Sequence, residues 1–463
     1  MQHPSLFLLL VGCANAGATL GLDAPKSNVA DNMFVVVNAA LYGIANPALP
    51  RRFSTDDSRF RFNVAASAGY ELGQVDHFIN GIDNLQSELN ENTRRLSLAS
   101  YIKKYGLDAK AIENAVVADL NSKAIAVINR QIALITADSS YVLAHGSLGE
   151  PVQVMQNAWG GQLIFGSRLS AASNLLAVGD PLKPYTLSEL EQKIIQALTS
   201  AQPSVNYLLP DTDTAVLVRS AIVDELSLAY SRAVLDDATG QMFAGLRAHY
   251  YQVKLSRYAK RLRDYGSTES SKDLLDHYSD NDASYSRDVG VDLGVSWVTR
   301  RYRLGAVLNN INQPEFQYNA VKTSDYTGTA VPQRLNADRT WKMNTQLRIE
   351  AAAHSRDEQW SLGTSADTTS VEDPLGHDYQ WVSAGTAYTP RTGWIPGLRA
   401  AYQANMRGSR LRYVTTGLTL FNMLSLDMTR SIDTVYLEEN DAVAMHGRYP
   451  RSVIYNFLFE IVI

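Results

Sequence analysis

Apolar and polar residues alternate one for one along much of the chain, the period of a strand whose two faces meet different surroundings. In residues 59–72, Phe60, Phe62, Val64, Ala66, Ala68, Tyr70 and Leu72 alternate with Arg59, Arg61, Asn63, Ala65, Ser67, Gly69 and Glu71. Residues 289–297, 343–351, 398–406 and 453–463 repeat the pattern; in the third window Met343, Thr345, Leu347, Ile349 and Ala351 form the apolar side. Weaker alternation runs through 161–172, 214–232, 243–257, 302–309, 360–367, 380–389 and 414–429. The polar side mixes Gly, Ser, Asn and Gln with charges, which suits a water-filled or plugged interior. The apolar side ends repeatedly in Tyr, Trp or Phe, as at a lipid interface. Windows of about nine to eleven residues fit strands tilted across a bilayer. Lipid tolerates no open sheet edge, so the pattern predicts closure rather than a sandwich. The expected fold is all-β: a transmembrane antiparallel β-barrel of about fourteen strands.

Two stretches change to a helical period. In residues 74–136 one face holds Val75, Phe78, Ile79, Ile82, Leu85 and Leu89, and a second run holds Ile112, Val116, Leu120, Val127, Ile128 and Ile132. Asp108, after Gly106, is a natural N-cap for that second run. Residues 187–198 form a shorter helix between Pro184 and Pro203. At the start of the chain a short apolar run (residues 6–12) leads into Cys13, Ala14, Asn15 and Ala16, the pattern of a secretory signal peptide cut after an A-x-A site. No Lys or Arg precedes that run. Cys13 is the one cysteine, so no internal disulfide forms. Leu10-Val11-Gly12-Cys13 also matches a lipobox, so Cys13 is either discarded with the signal or lipidated. The expected organisation is a signal peptide over 1–16, a plug segment over 17–58 and a barrel over 59–463. The barrel carries a helical cap insertion at 74–147 and a smaller helical loop at 180–213. With the mature N-terminus in the periplasm, the first strand runs outward and the 74–147 insertion caps the extracellular end.

Composition sharpens this picture. The 42 Lys+Arg against 47 Asp+Glu give a net charge of −5, with no basic footprint for nucleic acid. Charged residues make up 19%, below the roughly 25% of ordinary soluble domains. Beyond the leader no apolar run reaches the roughly 18 residues of a membrane helix. The mean hydropathy of −0.17 is what strands with one lipid face and one wet face average to.

The eight histidines (His3, His77, His145, His249, His277, His354, His377, His446) show no metal-ligand spacing. There is no G-x-S-x-G elbow and no phosphate loop. The sequence therefore points to no metal, no cofactor and no catalytic centre. His249, on a strand with Asp and Ser nearby, keeps open an outer-membrane hydrolase; otherwise it is a lumen or rim residue. Asp273, Asp276, Asp280 and Asp282 lack calcium-loop register and read as a solvated loop. Gly160-Gly161 reads as a turn or bulge.

Ala45-Asn46-Pro47-Ala48-Leu49 resembles the N-P-A element of FadL-type fatty-acid channels and their relatives. Tyr250-Tyr251-Gln252-Val253-Lys254, Val289-Gly290-Val291-Asp292-Leu293-Gly294, residues 303–311, Pro314-Glu315-Phe316, residues 361–367 and Leu398-Arg399-Ala400-Ala401-Tyr402 follow in order. Together they resemble the TraF-type conjugal transfer family of outer-membrane proteins over most of residues 30–430. The chain departs from that pattern in a thin N-terminal glycine-rich stretch, with residues 33–40 in its place, and in ending on Ile463 rather than Phe.

The resemblance implies export to the outer membrane of a Gram-negative bacterium and contact with its lipid. From the FadL side it implies a non-enzymatic barrel that binds or passes small hydrophobic molecules, captured under the cap and moved past a shifting plug. From the TraF side it implies a conjugation or envelope-assembly component that docks conjugation-machinery proteins. Asn46, Pro47 and Ala48 are then a plug or gate element, or simply a rigid turn. Phe78, Ile79, Ile82 and Leu85 line an apolar pocket or form a docking face. Arg59, Arg61, Asp292, Arg348, Glu350 and Arg399 are lumen charges, paired with one another or with neighbours and setting the polarity of any permeant.

Overall fold

The computed structural model describes residues 61–73, 109–137, 141–184, 212–264, 283–357, 359–421, 423–437 and 447–462, with a few isolated positions between them. Asn46, Pro47, Ala48, Phe78, Ile79, Ile82, Leu85, Arg59, Cys13, Asp108 and the acidic run at 273–282 lie outside the described residues, as does most of 185–211.

The wall is built from β1 (Arg61–Leu72), β2 (Val142–Ala158), β3 (Gly161–Val178), β4 (Ala215–Asp237), β5 (Gly240–Arg261), β6 (Ala283–Val298) and β7 (Tyr302–Asn309). It continues through β8 (Gln346–His354), β9 (Trp360–Asp367), β10 (Trp381–Tyr388), β11 (Gly397–Asn405), β12 (Arg412–Leu420), β13 (Leu424–Ser431) and β14 (Ser452–Val462). Each strand pairs antiparallel with the next, and β14 pairs with β1 from Glu71↔Ser452 to Arg61↔Val462, closing fourteen strands into a barrel.

The alternation sorts side chains by face. Along β11, Leu398, Ala400 and Tyr402 are exposed while Arg399, Ala401 and Gln403 are buried. Exposed apolar residues and buried polar ones invert the rule of a soluble core, and they are what lipid outside and a packed lumen inside require. The window at 414–429 resolves into two strands, β12 and β13, around a turn in which Phe421 takes a positive φ of 55°.

The barrel is uneven in height. Strands β7–β13 have eight or nine residues. At ~3.4 Å per residue and a tilt of roughly 45° they rise about 20 Å, close to the ~25 Å apolar band of a membrane barrel. Strands β4 and β5 have 23 and 22 residues and form a high wall.

The connections are equally uneven. At one end they are short: Trp159 and Gly160, both at positive φ (48° and 75°), make the tight turn between β2 and β3. Asp237 Oδ1 accepts the amides of Thr239 (2.7 Å) and Gly240 (3.1 Å) in the turn before β5. Aromatic pairs ring this end: Trp159 with Tyr230, Trp360 with Tyr388, and Trp394 with Phe421, at centroid distances of 6.5, 5.0 and 5.9 Å. Such belts mark a membrane interface. Long loops leave the other end, which by the usual rule of short periplasmic turns faces outward.

The long-loop end carries a helix running without a break through α1 (Ala109–Asp119), a wider π-helical turn (Leu120–Ile125) and α2 (Ala126–Ile135). Ile125, Ile128, Ile132 and Ile135 recur every three or four residues, one apolar stripe. That stripe packs on Leu72, Val142 and Val216 near the strand ends, on Leu262 just past β5 and on Val435 in the connection after β13. Strand β2 begins at Val142, inside the 74–147 span expected to be helical insertion.

Candidate functional site

The loop joining β7 to β8 holds a small hairpin (Glu315–Gln317 with Thr340–Lys342) and α3 (Ala330–Leu335). The loop joining β9 to β10 holds a second hairpin (Val371–Glu372 with Asp378–Tyr379). Both fold into the barrel. Phe316, Tyr318, Trp341, Met343 and Leu375 form one buried cluster with the inward-facing Leu143, Ala172, Ala221, Val223, Tyr251, Val253 and Leu255 of β2–β5. Met343, read from the sequence as part of a lipid-facing strand, belongs to this inner cluster; β8 starts three residues later, at Gln346. The mouth is thus stoppered by the protein's own loops, leaning on the high wall.

Polar anchors hold the stopper. Arg219 and Arg257 stand opposite each other on β4 and β5, and each donates to plug carbonyls. Arg219 Nη1 reaches Leu375 O at 3.1 Å, and Arg257 reaches Ala337 O at 2.8 Å and the carbonyl of Asp338, with its guanidinium 4.4 Å from the Tyr318 ring centroid. Carbonyls at the end of α3 are natural partners for a cation, because the helix dipole is negative there. Trp341 Nε1 donates to Glu372 O at 3.0 Å, tying one plug loop to the other. Asn174 on β3 bonds His377 at 2.8 Å.

Asp213, just before β4, accepts the amides of Gly328 (2.6 Å) and Thr327 (2.9 Å) and the Thr327 hydroxyl (3.1 Å). Burial alone would raise the Asp213 carboxyl. Those donors and Arg261 outweigh it and hold the group below the ordinary carboxylate range. Burial pushes the Tyr318 phenol up, which keeps it a neutral donor to the carbonyl of Pro374.

Below the stopper the lumen wall carries charge in compensated sets. Glu225 receives Arg168 Nη2 at 2.7 Å and contacts His249 Nδ1 at 2.7 Å; His249 Nε2 lies 2.7 Å from Asp292, which also takes Arg247 Nη2 at 2.6 Å. The other Asp292 oxygen accepts the amide of Asn310 at 2.8 Å, the first residue of the first plug loop. Arg348 Nε bonds Asp367 at 2.7 Å, and Asp367 also accepts the amide of Trp381 at 3.0 Å, where the second plug loop returns to the wall. Both loops are therefore rooted on lumen carboxylates that are themselves ion-paired.

Glu350 lies 3.9 Å from Arg303, and Arg399 bonds Asp427 at 2.8 Å across Gly417 of the strand between them. Asp292, Arg348, Glu350 and Arg399 thus sit buried in ion pairs, and Arg61 is described through its backbone. His249 has both ring nitrogens on carboxylates and neither on a serine, so the hydrolase alternative has no nucleophile at this histidine. No grouping of metal-ligand side chains occurs among the described residues.

Sequence reasoning passed over the plug loops, Arg219, Arg257, Glu225, Asp367 and Asp427. A usable signal lay in parity: Arg219 and Glu225 share the inward register with Ala221 and Val223, so a mixed inner face betrays an apolar object in the lumen.

Fold and site together define a transmembrane β-barrel with a self-stoppered mouth and a charge-compensated lumen. The chain belongs to the family described as F plasmid transfer operon, TraF, protein, whose model matches residues 43–367. No curated protein matches it. Among solved structures, a FadL homologue from Pseudomonas aeruginosa is 10% identical, with 96% of this chain and 99% of that one covered, at a TM-score of 0.40. The P. putida toluene transporter TodX is 13% identical, with 91% and 93% covered, at a TM-score of 0.38. A Rh. blastica porin mutant is 8% identical, with 87% and 100% covered, at a TM-score of 0.24.

Proposed function

We propose that the protein is an outer-membrane barrel that binds small hydrophobic molecules beneath its inward-folded loops and passes them when those loops shift. The observation that carries this reading is the apolar contact between plug and wall, where Phe316, Trp341 and Leu375 meet Val223, Tyr251 and Val253. An aqueous pore needs an open, polar constriction whose charges face the path; here the mouth is filled, and below it Glu225, His249, Asp292, Arg348, Glu350 and Arg399 are engaged in ion pairs. A hydrophobic molecule can replace plug–wall contacts with its own, while an ion finds no free counter-charge in these pairs.

The test is native mass spectrometry of the protein purified in mild detergent, followed by uptake of a hydrophobic fluorescent probe by cells carrying or lacking it. Cysteines placed at Asn174 and His377, joined by a bis-maleimide, lock the second plug loop to β3; locking is expected to abolish uptake relative to the same double-cysteine protein without the linker. No bound small molecule, together with equal uptake in all cells, defeats the proposal.

Membership in the TraF family favours a second reading, in which the barrel is a docking component of a transfer apparatus. It expects conjugation to fail without the protein while probe uptake is unchanged.

A further inference from the structure

At the outer end of β12 and β13 the lipid-facing register holds arginines. On β13 the outward row runs Leu426, Met428, Arg430, all exposed, while Ser425, Thr429 and Ser431 face in. On β12 it runs Thr416, Val414, Arg412 towards the same end. Val414 stands between Tyr402 on β11 and Arg430 on β13, so aromatic, aliphatic and cation share one level of the wall. Arg407 and Arg410, both exposed, add two more cations from the tight turn joining β11 to β12, closed by the Arg410 amide on Arg407 O at 3.1 Å.

Among the described residues, two acids lie nearby. Asp433 is engaged by Arg412 at 2.8 Å, and Asp378 meets this turn with its backbone, beside Gly408. Among the described residues, Arg407, Arg410 and Arg430 form no ion pair.

An arginine in the outward register is costly at mid-membrane and nearly free at the interface. The step from Met428 to Arg430 therefore marks the level where hydrocarbon gives way to headgroups. The guanidinium fork matches phosphate oxygens in a bidentate way.

We propose that Arg407, Arg410, Arg412 and Arg430 form a binding site for the phosphate groups of an outer-leaflet glycolipid of the lipid A type, with Tyr402 and Val414 against its acyl chains. This rests on the outer-membrane location proposed above. The site fixes one side of the barrel, β11–β13, to phosphorylated lipid and leaves the high wall opposite unanchored by it.

The test compares wild type, Arg430→Gln, Arg430→Lys and the triple variant Arg407→Gln/Arg410→Gln/Arg430→Gln. Arg412 is kept because it holds Asp433. Binding of diphosphoryl lipid A, monophosphoryl lipid A and a phosphate-free glycolipid is read by native mass spectrometry at low ionic strength. A basic residue near an anionic membrane surface is worth about fivefold in affinity, so Arg430→Gln is expected to lose about fivefold and the triple variant roughly a hundredfold. Arg430→Lys retains part of the binding, and wild type discriminates against the phosphate-free lipid.

Cold-SDS gel mobility shows that each variant is folded. A folded triple variant that binds diphosphoryl lipid A within twofold of wild type overturns the site. So does wild-type binding indifferent to phosphate, or displacement by millimolar inorganic phosphate. Sedimentation of the protein away from the outer-membrane fraction overturns the location instead, so the two failures are distinguishable.

Discussion

Gly417→Ala is the sharpest test of the packed lumen. On propensity alone the change should help, since glycine in a strand costs roughly 0.5–1 kcal/mol relative to alanine. The structure reverses the sign. A methyl group built on Gly417 would lie 1.7 Å from Asp427 Oδ1 and 2.9 Å from Arg399 Nε, in the gap the ion pair crosses. The carboxylate must rotate away, and Arg399 then loses the bonds of 3.1 and 2.8 Å from Nε and Nη2. Leaving one partner of a buried pair uncompensated costs about 3–5 kcal/mol. Arg399 keeps its contact to the Thr419 hydroxyl, and Asp427 is displaced rather than deleted. With the propensity gain subtracted, the expected net loss is about 2–4 kcal/mol.

The assay is urea unfolding of the detergent-refolded barrel, followed by tryptophan fluorescence and by the fraction running as folded on a cold SDS gel. In an Arg399→Ala/Asp427→Ala background the gap is empty, and Gly417→Ala should return to a gain of roughly 0.5–1 kcal/mol. An unchanged or raised urea midpoint for Gly417→Ala in the otherwise native chain would refute the reasoning.

Asp292→Ala removes the acceptor of Arg247, His249 and the Asn310 amide together. A loss of about 3–5 kcal/mol is expected in the same assay, largely recovered by adding Arg247→Ala. Asp213 gives a pH dependence with a definite sign. Its folded value is depressed by the Thr327 and Gly328 donors, so its contribution is fully present above the unfolded value near 3.9 and is lost as pH falls through the folded value. The protection factors of residues 323–336, taken relative to intrinsic exchange at each pH, should fall below about pH 4, and Asp213→Asn should lower them at neutral pH and remove the dependence.

The membrane half of the fold was legible because lipid enforces a strict rule on one face. Strand β11 all but coincides with its strongly alternating window at 398–406. Its inner face carries the buried polar Arg399, Gln403 and Asn405, so both sides of the pattern are clean. Strands β3–β5 gave weaker patterns because parts of their inner faces pack against the plug, Ala221 and Val223 against Phe316, Trp341 and Leu375 and Leu217 against Val321, Val331 and Leu335; these are as apolar as the outward Val216, Val218 and Ile222. Strand β2 was the least visible, with His145, Gly149 and Pro151 breaking any period.

The mixed inner face of β4 betrays an apolar object in the lumen, but which loops form the plug could not be read. Their folding inward is decided by Arg219 and Arg257, whose partners are main-chain carbonyls, and a carbonyl has no signature in sequence. The lumen charges were visible as residues, but their partners sit on neighbouring or next-neighbouring strands, a matter of register that a one-residue slip would change.

The seam between β1 and β14 sets an order of events. The β4–β5 hairpin closes through a two-residue turn and can zip from there, whereas the seam joins the two ends of the described chain and carries the largest loop-closure cost. Until it forms, the nascent sheet presents two raw edges, and both demand a hydrogen-bonding partner before hydrocarbon is entered. The last strand is thus the timing element of biogenesis. Removing it would leave a sheet with intact hairpins and no way to insert, a failure of assembly rather than of stability.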